Sequence, residues 1–204
     1  MGSDEYKGEK PPHQVALSPF EISKYKITNA QYRRFRKDHQ LDDDRPVVNV
    51  TWGDAKAFCE HYGYSLPTEV QWEYAARAGT TTRWSFGDDE KLLGQYAWFG
   101  GSIGDQVKPV GRKLLNPLGL YDMHGNAWEW VADCYDAEAY GKRGELTVDP
   151  LESSCGGRLL RVLRGGAYWV EPRVLRSAGR NWDGPGSRFR SFGFRCVRGS
   201  RRQP

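Results

Sequence analysis

The sequence predicts a loop-rich domain that combines a few helices with short strands, and three observations lead to this expectation. Two well-capped helices are predicted before residue 80, the helical pattern is lost from 80 to 157, and eight Trp and eleven Tyr accompany 24 Gly. This composition is typical of irregular structure rather than of a helical bundle. The 204 residues suit a single domain, spanning 1–204, with a buried core.

The first predicted elements follow a polar lead-in over residues 1–19. The stretch 20–27 alternates apolar and polar side chains, which is the period of a half-buried strand. Thr28 is a residue type that caps helices, and apolar residues follow it at helical spacing. We therefore expect a helix from Thr28 to near His39.

The two strongest helix predictions come next along the chain. A threonine caps a helix over 52–62, and a glycine follows in the left-handed position that ends helices. Thr68 and Gln71, three residues apart, form a capping box that opens the second helix, which Gly79 ends.

Beyond Gly79 the residues 80–157 predict loops with a few short strands. A loop region of this length is typical of a scaffold that carries its function in its loops. The segments 159–170 and 192–198 are rich in apolar residues and are predicted to be core strands.

The positive charge is concentrated near the C-terminus. Residues 158–204 contain twelve Arg, no Lys and only two acids, whereas the whole chain carries a formal charge of +4. Two interpretations stay open. The arginines can serve the scaffold, because guanidinium groups bind carboxylates and backbone carbonyls in a planar fork. Alternatively, they can form a face for an anionic partner such as a nucleic acid.

The segment 116–130 predicts a tight turn that holds two carboxylates. Asp122 and Glu129 flank Gly125-Asn126, where the backbone can bend sharply. Carboxylates and carbonyls in such a turn can form a calcium cage. The same residues can also pin the turn by hydrogen bonds from side chains to the backbone.

Together, several motifs resemble those of the formylglycine-generating-enzyme, or sulfatase-modifying-factor, family. They occur in the same order and cover almost the whole chain: 20–32, 66–77, 116–130, 161–166, 176–178 and 193–196. The resemblance implies a variant C-type-lectin-like fold of the α+β class, with two main helices and short antiparallel strands. Since the arginines match scaffold motifs, a nucleic-acid-binding module ranks last among the functions considered.

The resemblance also implies one structural Ca²⁺ ion and one disulfide. The calcium ligands would be Asp122, Glu129 and the carbonyls of Gly125 and Ala127. Cys59 and Cys196 fall where some relatives form a disulfide, although a reducing cytosol would leave both as buried thiols. A second pair, Cys134 with Cys155, rests only on these being the two cysteines left over.

The enzymes of this family use two cysteines that follow the glycine pair matching 165–166. Here the stretch 167–175 contains no cysteine, and a thiolate chemistry needs the sulfur. We therefore predict a non-catalytic protein with no copper or iron, whose four histidines lack metal-ligand spacing. The alternative is a metal-dependent oxidoreductase of the same family with altered chemistry.

The loops 167–192 predict a ligand-binding face, since exposed aromatic and arginine side chains are typical of binding hot spots. Burial of the same aromatics in the core is the competing interpretation. The layout also resembles the variable proteins of diversity-generating retroelements. Their mutagenesis at adenine-rich codons does not reach Trp or Glu, so Trp169, Glu171 and Trp182 would be unvaried. The predicted face comprises Tyr168, Trp169, Val170, Arg173, Gly179, Trp182, Asp183, Ser187, Phe189, Ser191 and Phe192.

The expected partner is another protein. No apolar run approaches the roughly 20 residues that a membrane helix needs. The sequence begins without a recognisable signal peptide, which favours the cytoplasm. Neither the ligand nor the oligomeric state is indicated by the sequence.

Overall fold

A computed structural model describes residues 1–101, 105–144 and 146–199. Its helices are α1 (Asn29–Phe35), α2 (Trp52–His61), α3 (Glu69–Arg77) and α4 (Leu93–Tyr96). Its strands are β1 (Gln14–Ala16), β2 (Phe20–Ile22), β3 (Trp128–Cys134), β4 (Leu146–Val148), β5 (Arg161–Arg164), β6 (Arg180–Asp183), β7 (Phe192–Phe194) and β8 (Val197–Gly199). Short 3₁₀ helices span Lys7–Glu9, Glu90–Leu92, Gly156–Arg158 and Pro172–Leu175.

The predicted helix starts are confirmed, because each of the first three helices begins with a capping box. Thr28, Thr51 and Thr68 accept a hydrogen bond from the third helical residue, whose side chain bonds back to the cap. The first helix is shorter than expected, since it ends at Phe35 rather than near His39. His39 instead lies beside the start of that helix, with its Nε2 2.9 Å from the side chain of Asn29.

The central sheet has four strands in the order β6-β5-β3-β7. Strands β5 and β6 are antiparallel, as are β3 and β5, whereas β3 and β7 are parallel. Two further pairs join distant parts of the chain: β1 with β4 in parallel and β2 with β8 antiparallel. The expectation of short antiparallel strands therefore holds for three of the five strand pairs in the described ranges.

The longest strand, β3, lies where the sequence predicted a turn and then loops. Six of its seven residues are buried, and only Ala132 is half-buried. Trp130 packs in one hydrophobic cluster and its neighbour Val131 in another. A strand covered on both faces shows no alternation of apolar and polar residues, so its period cannot be detected in the sequence.

Both faces of the sheet are covered by helices and loops. One hydrophobic cluster contains Phe58 of α2 together with Trp130 and Phe194. The other contains Trp72 of α3 and Val162 of β5. The resulting α+β architecture, with little regular structure between residues 80 and 127, agrees with the fold class expected from the sequence.

Two disulfides link elements that are distant in sequence. Cys59 of α2 is bonded to Cys196 between β7 and β8, and Cys134 at the end of β3 is bonded to Cys155. The first bond is the one that the family resemblance implied as an alternative to buried thiols, and the second joins the two cysteines that were left over. No helix in the described ranges is long and apolar enough to cross a bilayer.

Candidate ligand-binding groove

Four buried or nearly buried arginines of the C-terminal region serve the scaffold: Arg164, Arg176, Arg180 and Arg195. Arg164 is fully buried and pairs with Glu73 at 2.5 Å, while its guanidinium also donates to three backbone carbonyls. Burial disfavours the charged form of Glu73, but the guanidinium groups of Arg164 and Arg77 prevail and lower its pKa. The buried cluster explains why this region is rich in Arg rather than Lys.

Two of these arginines fasten the N-terminal segment to the C-terminal loops. Arg176 forms a bidentate ion pair with Glu9, at 2.7 and 2.9 Å. Arg180 pairs in the same way with Glu69 and also donates to the carbonyl of Gly8 at 2.6 Å. The 3₁₀ turn at residues 7–9 is thereby held against the loop 173–180.

A groove of about 220 Å³ lies between this turn and the loop. Tyr6, exposed by 40%, and the half-buried Tyr135 provide its aromatic walls. The guanidinium of Arg176 stacks on Tyr6 at 4.4 Å, and that of Arg180 on Tyr135 at 4.9 Å. Since both cations are also paired with buried acids, the walls are rigid.

Trp182 extends the aromatic surface beyond the groove. Its ring contacts that of Tyr135 with centroids 5.8 Å apart, and 44% of the residue is exposed. It lies on β6, an edge strand of the central sheet, opposite Val162. A large aromatic side chain on a rigid strand costs little ordering entropy when a partner covers it.

Arg173 lies at the rim of the groove and differs from the buried arginines. It pairs with Glu171 at 2.7 Å, and both side chains are about two-thirds exposed. The hydrogen bonds to Glu171 and then Tyr6 raise the pKa of Arg173, which stays charged in any case. Solvent screens this pair, so the guanidinium can exchange Glu171 for a carboxylate of a partner.

The structure corrects about half of the predicted face. Trp169, Arg173, Trp182 and Phe189 are exposed. Asp183 and Ser187 are half-buried and bond to each other at 2.5 Å. The remaining five are buried, and of these Gly179 still lines the groove: Tyr168, Val170, Gly179, Ser191 and Phe192.

The four exposed residues do not form one face. Arg173 hydrogen-bonds to Tyr6 and Trp182 packs on Tyr135, so both adjoin the groove. Trp169 lies outside it. The carbonyls on either side of Trp169 bond to Gly100 and Gly101. Phe189 instead packs on Phe192, and its carbonyl accepts from Asn49.

Sequence reasoning missed two residues of the groove, Tyr6 and Tyr135. One belongs to the polar N-terminal segment and the other follows β3, and neither carries a local motif. Gly8 is a partial sequence signal for the close approach of these segments, because a Cβ at this position would lie 3.2 Å from the hydroxyl of Tyr135. Only the three-dimensional fold brings these rings together.

A second, larger groove of about 390 Å³ lies between α1, α2 and the β2–β8 pair. Its apolar lining includes Ile27, Phe58 and Tyr62. At its rim, Arg198 pairs with Glu21 at 2.6 Å. Size alone does not select a binding site, and this groove contains none of the residues from the predicted loops 167–192.

The four predicted calcium ligands lie together at the start of β3, but their surroundings do not fit a calcium ion. The carboxylate of Glu129 accepts from Lys26 at 2.5 Å and from Arg195 at 2.6 Å, with all three side chains fully buried. Both of its oxygens already face a cation. In the described part of the chain, no cluster of three His, Cys, Asp or Glu residues could hold a metal.

The other reactive side chains are also engaged in the fold. All four cysteines are in disulfides. His124 is buried, with Nε2 3.0 Å from Ser85 Oγ and Nδ1 2.8 Å from the carbonyl of Leu175. Burial lowers the pKa of His124 to about 4, so the imidazole is neutral near pH 7 and fits a structural role.

Known proteins are similar to this chain over most of its length. A family model described as the sulfatase-modifying factor enzyme 1-like domain matches residues 1–200. The formylglycine-generating enzyme of Streptomyces coelicolor is 30% identical, covering 93% of this chain and 81% of the enzyme. Serine/threonine-protein kinase pkn1 of Chlamydia caviae is also 30% identical, but the chain spans only 35% of that kinase.

Solved structures are also similar to this chain over almost its whole length. Treponema denticola variable protein 1 is 25% identical, with a TM-score of 0.86 over 97% of this chain and 90% of that protein. PvdO from Pseudomonas aeruginosa is 29% identical, with a TM-score of 0.80 over 98% of this chain and 90% of that one. A Major Tropism Determinant variant, 17% identical with a TM-score of 0.52 over 87% of this chain and 49% of its own, shares the fold alone.

Proposed function

We propose that this chain, which belongs to the sulfatase-modifying factor enzyme 1-like domain family, is a non-catalytic module that binds another protein. The observation that carries the proposal is the groove between Tyr6 and Arg173, continued by Trp182. Its exposed aromatic rings and arginine are the residue types that dominate protein-binding hot spots.

The chemistry of the groove favours a peptide segment with an aromatic or apolar side chain beside a carboxylate. The rings of Tyr6, Tyr135 and Trp182 offer apolar contact, and Arg173 offers a charge at the rim. A volume of about 220 Å³ suits one or two side chains rather than a whole cofactor. The interior arginines add little attraction for a polyanion, since their charges are already paired.

The likeness to Treponema denticola variable protein 1 supports a display module of the retroelement type. In that interpretation, loop positions vary between copies while the scaffold is kept. Trp182 and Trp169, which adenine-directed mutagenesis does not produce, are then unvaried positions. Sequencing of independent copies tests this subtype: variation concentrated at exposed loop positions supports it, and uniform sequence throughout 167–192 contradicts it.

A second candidate is a metal-dependent oxidoreductase, because the Streptomyces enzyme covers most of this chain. Chemistry of the family type needs a thiolate, and every cysteine here is in a disulfide. Metal analysis of the purified, unreduced protein separates the two candidates. Copper or iron at one ion per chain supports the oxidoreductase, and its absence together with a lack of reactive thiols supports the binding module.

The two disulfides also bear on where the protein works. Disulfides persist in oxidising compartments and are rare in the cytosol. We therefore propose an oxidising compartment for this protein, whereas the sequence favoured the cytoplasm. Thiol labelling of protein taken directly from its native source, quenched with acid, checks the redox state of Cys134 and Cys155.

The decisive experiment uses a displayed library of random peptides, selected on the purified protein. We expect selected peptides to combine an aromatic residue with an acid and to bind the Trp182→Ala variant at least tenfold more weakly. Trp169→Ala is the matched control, because both tryptophans are exposed to a similar degree and only Trp182 contacts the groove. Equal binding to wild type and Trp182→Ala would show that the groove is not the site.

A further inference from the structure

Lys26 is a lysine with no exposed surface, which is rare for an ammonium group. It lies between β2 and α1, in a stretch whose backbone is clamped on both sides. The N–H of Ile27 donates to Phe194, and the carbonyl of Ile27 accepts from Val47. The position of Lys26 is therefore set by the scaffold rather than by a flexible surface loop.

The ammonium of Lys26 belongs to a compact ionic cluster. Glu129 accepts from Lys26 Nζ through Oε1 and from Arg195 Nε through Oε2. Arg195 also donates to the carbonyls of Ser23 and Tyr121, each at 3.0 Å. The cluster thus joins three chain segments: the end of β2, the turn before β3 and the end of β7.

Asp122 lies close enough to Lys26 and Arg195 for its carboxylate to interact with their charges. It is buried, adopts a left-handed backbone conformation with φ of 56° and accepts from the N–H of Gly111. With both carboxylates ionised, Lys26 and Arg195 balance Asp122 and Glu129. A divalent cation added to this balanced set would leave two uncompensated positive charges in a buried site, which is strongly unfavourable.

We propose that the ammonium of Lys26 takes the place that the resemblance assigned to a calcium ion, so that a covalently attached cation holds the turn 122–129. The domain is then independent of calcium for its stability. This inference does not depend on the groove, because the cluster lies at the start of β3 and shares no side chain with it. It also explains why Asp122, Gly125, Ala127 and Glu129 are retained without a fitting metal site.

Two substitutions separate the charge of Lys26 from its volume. Lys26→Ala removes the ammonium and leaves space beside Asp122 and Glu129, with a net negative cluster. Lys26→Met removes the charge but fills most of the space. Loss of one partner from a buried ion pair predicts a fall in the melting temperature of about 10 °C for both variants.

The test is thermal unfolding with millimolar calcium or with EDTA, together with elemental analysis of the dialysed protein. For the wild type we expect the same melting temperature in both solutions and no bound calcium. We expect calcium to raise the melting temperature of Lys26→Ala and to leave Lys26→Met unchanged. A wild type that binds calcium stoichiometrically and melts lower in EDTA would overturn the proposal, even if neither variant folds. A folded Lys26→Ala with no response to calcium would overturn it as well.

Discussion

Two ion pairs of the same residue types, Arg164 with Glu73 and Arg173 with Glu171, show how the scaffold and the binding surface differ. The first is completely buried and its guanidinium has further carbonyl partners. The second is about two-thirds exposed and pairs only near neighbours in sequence. Sequence composition treats all these arginines alike, yet burial divides them into groups that hold the fold and groups that can meet a partner.

The difference is physical. A buried guanidinium without its carboxylate leaves an uncompensated charge, so the cluster tolerates no loss of either member. An exposed pair is screened by water and can rearrange at little cost. The N-terminal turn at residues 7–9 is the point of contact between the two regions, since Arg176 and Arg180 hold it from inside and Tyr6 lines the groove outside.

Replacing the buried arginine is expected to have the largest effect. Arg164→Met leaves the buried carboxylate of Glu73 with one guanidinium partner, Arg77, and the N–H of Gly2, and should reduce the free energy of unfolding by about 4 kcal/mol. The melting temperature should fall by about 10 °C. Arg173→Met is the matched control and should melt like the wild type. Equal melting temperatures for all three proteins would remove the distinction between the two pairs.

Asp133 sharpens the comparison, because it is a buried carboxylate held by backbone N–H groups rather than by arginine. Burial, with the nearby charge of Glu69, raises the pKa of Asp133 to about 7. The unfolded chain releases this proton near pH 4, so Asp133 lowers stability as the pH rises from about 4 to about 7.

The variant Asp133→Asn should lack this dependence. Its free energy of unfolding, measured by denaturant titration, is expected to rise relative to that of the wild type as the pH increases from about 5 to about 7. Comparing the two proteins cancels the opposite contribution of His124, which both contain. A constant difference across that range would mean that Asp133 titrates normally in the folded protein.

In the groove, Trp182→Ala should weaken the binding of a selected peptide by about 2 kcal/mol, the size expected for an aromatic hot spot. Its melting temperature should change little, because the residue is 44% exposed and lies on an edge strand. Calorimetric titration gives the affinity, and Trp169→Ala serves as the control. A loss of the same size in the control would extend the binding surface to the loop beside Gly100 and Gly101.

The smallest expected effect concerns the charge at the rim of the groove. Arg173→Met should lower the affinity for an acidic peptide several-fold at low salt. The difference from the wild type should disappear as the ionic strength rises. A peptide without acids should bind both proteins equally. If the acidic peptide lost the same affinity at high salt, Arg173 would act through packing rather than through charge.

Local structure was predictable where the signal was local. The threonine caps of the first three helices were predicted, with a full capping box only at Thr68, and the structure has a box at Thr28, Thr51 and Thr68. The strand β3 was not predicted, because burial on both faces removes its period. The face within 167–192 was only partly predictable, since chain position does not show that Tyr168 points inward while Trp169 is exposed.

The groove itself was beyond sequence reasoning for a different reason. Its aromatic walls come from Tyr6 and Tyr135, and two ion pairs, Arg176 with Glu9 and Arg180 with Glu69, hold together the segments that line the groove. Such long-range pairs leave no trace in spacing or composition. The ion pair between Lys26 and Glu129 was not predicted for the same reason, because the two residues are far apart in sequence.

The most direct test of the account is a titration of isotopically labelled protein with a selected peptide, followed by amide chemical shifts in NMR. Binding in the groove should give the largest shifts at residues 6–9, Tyr135 and 173–182. Shifts confined to the larger groove around Ile27, Phe58 and Tyr62 would show instead that the peptide binds between α1, α2 and β8.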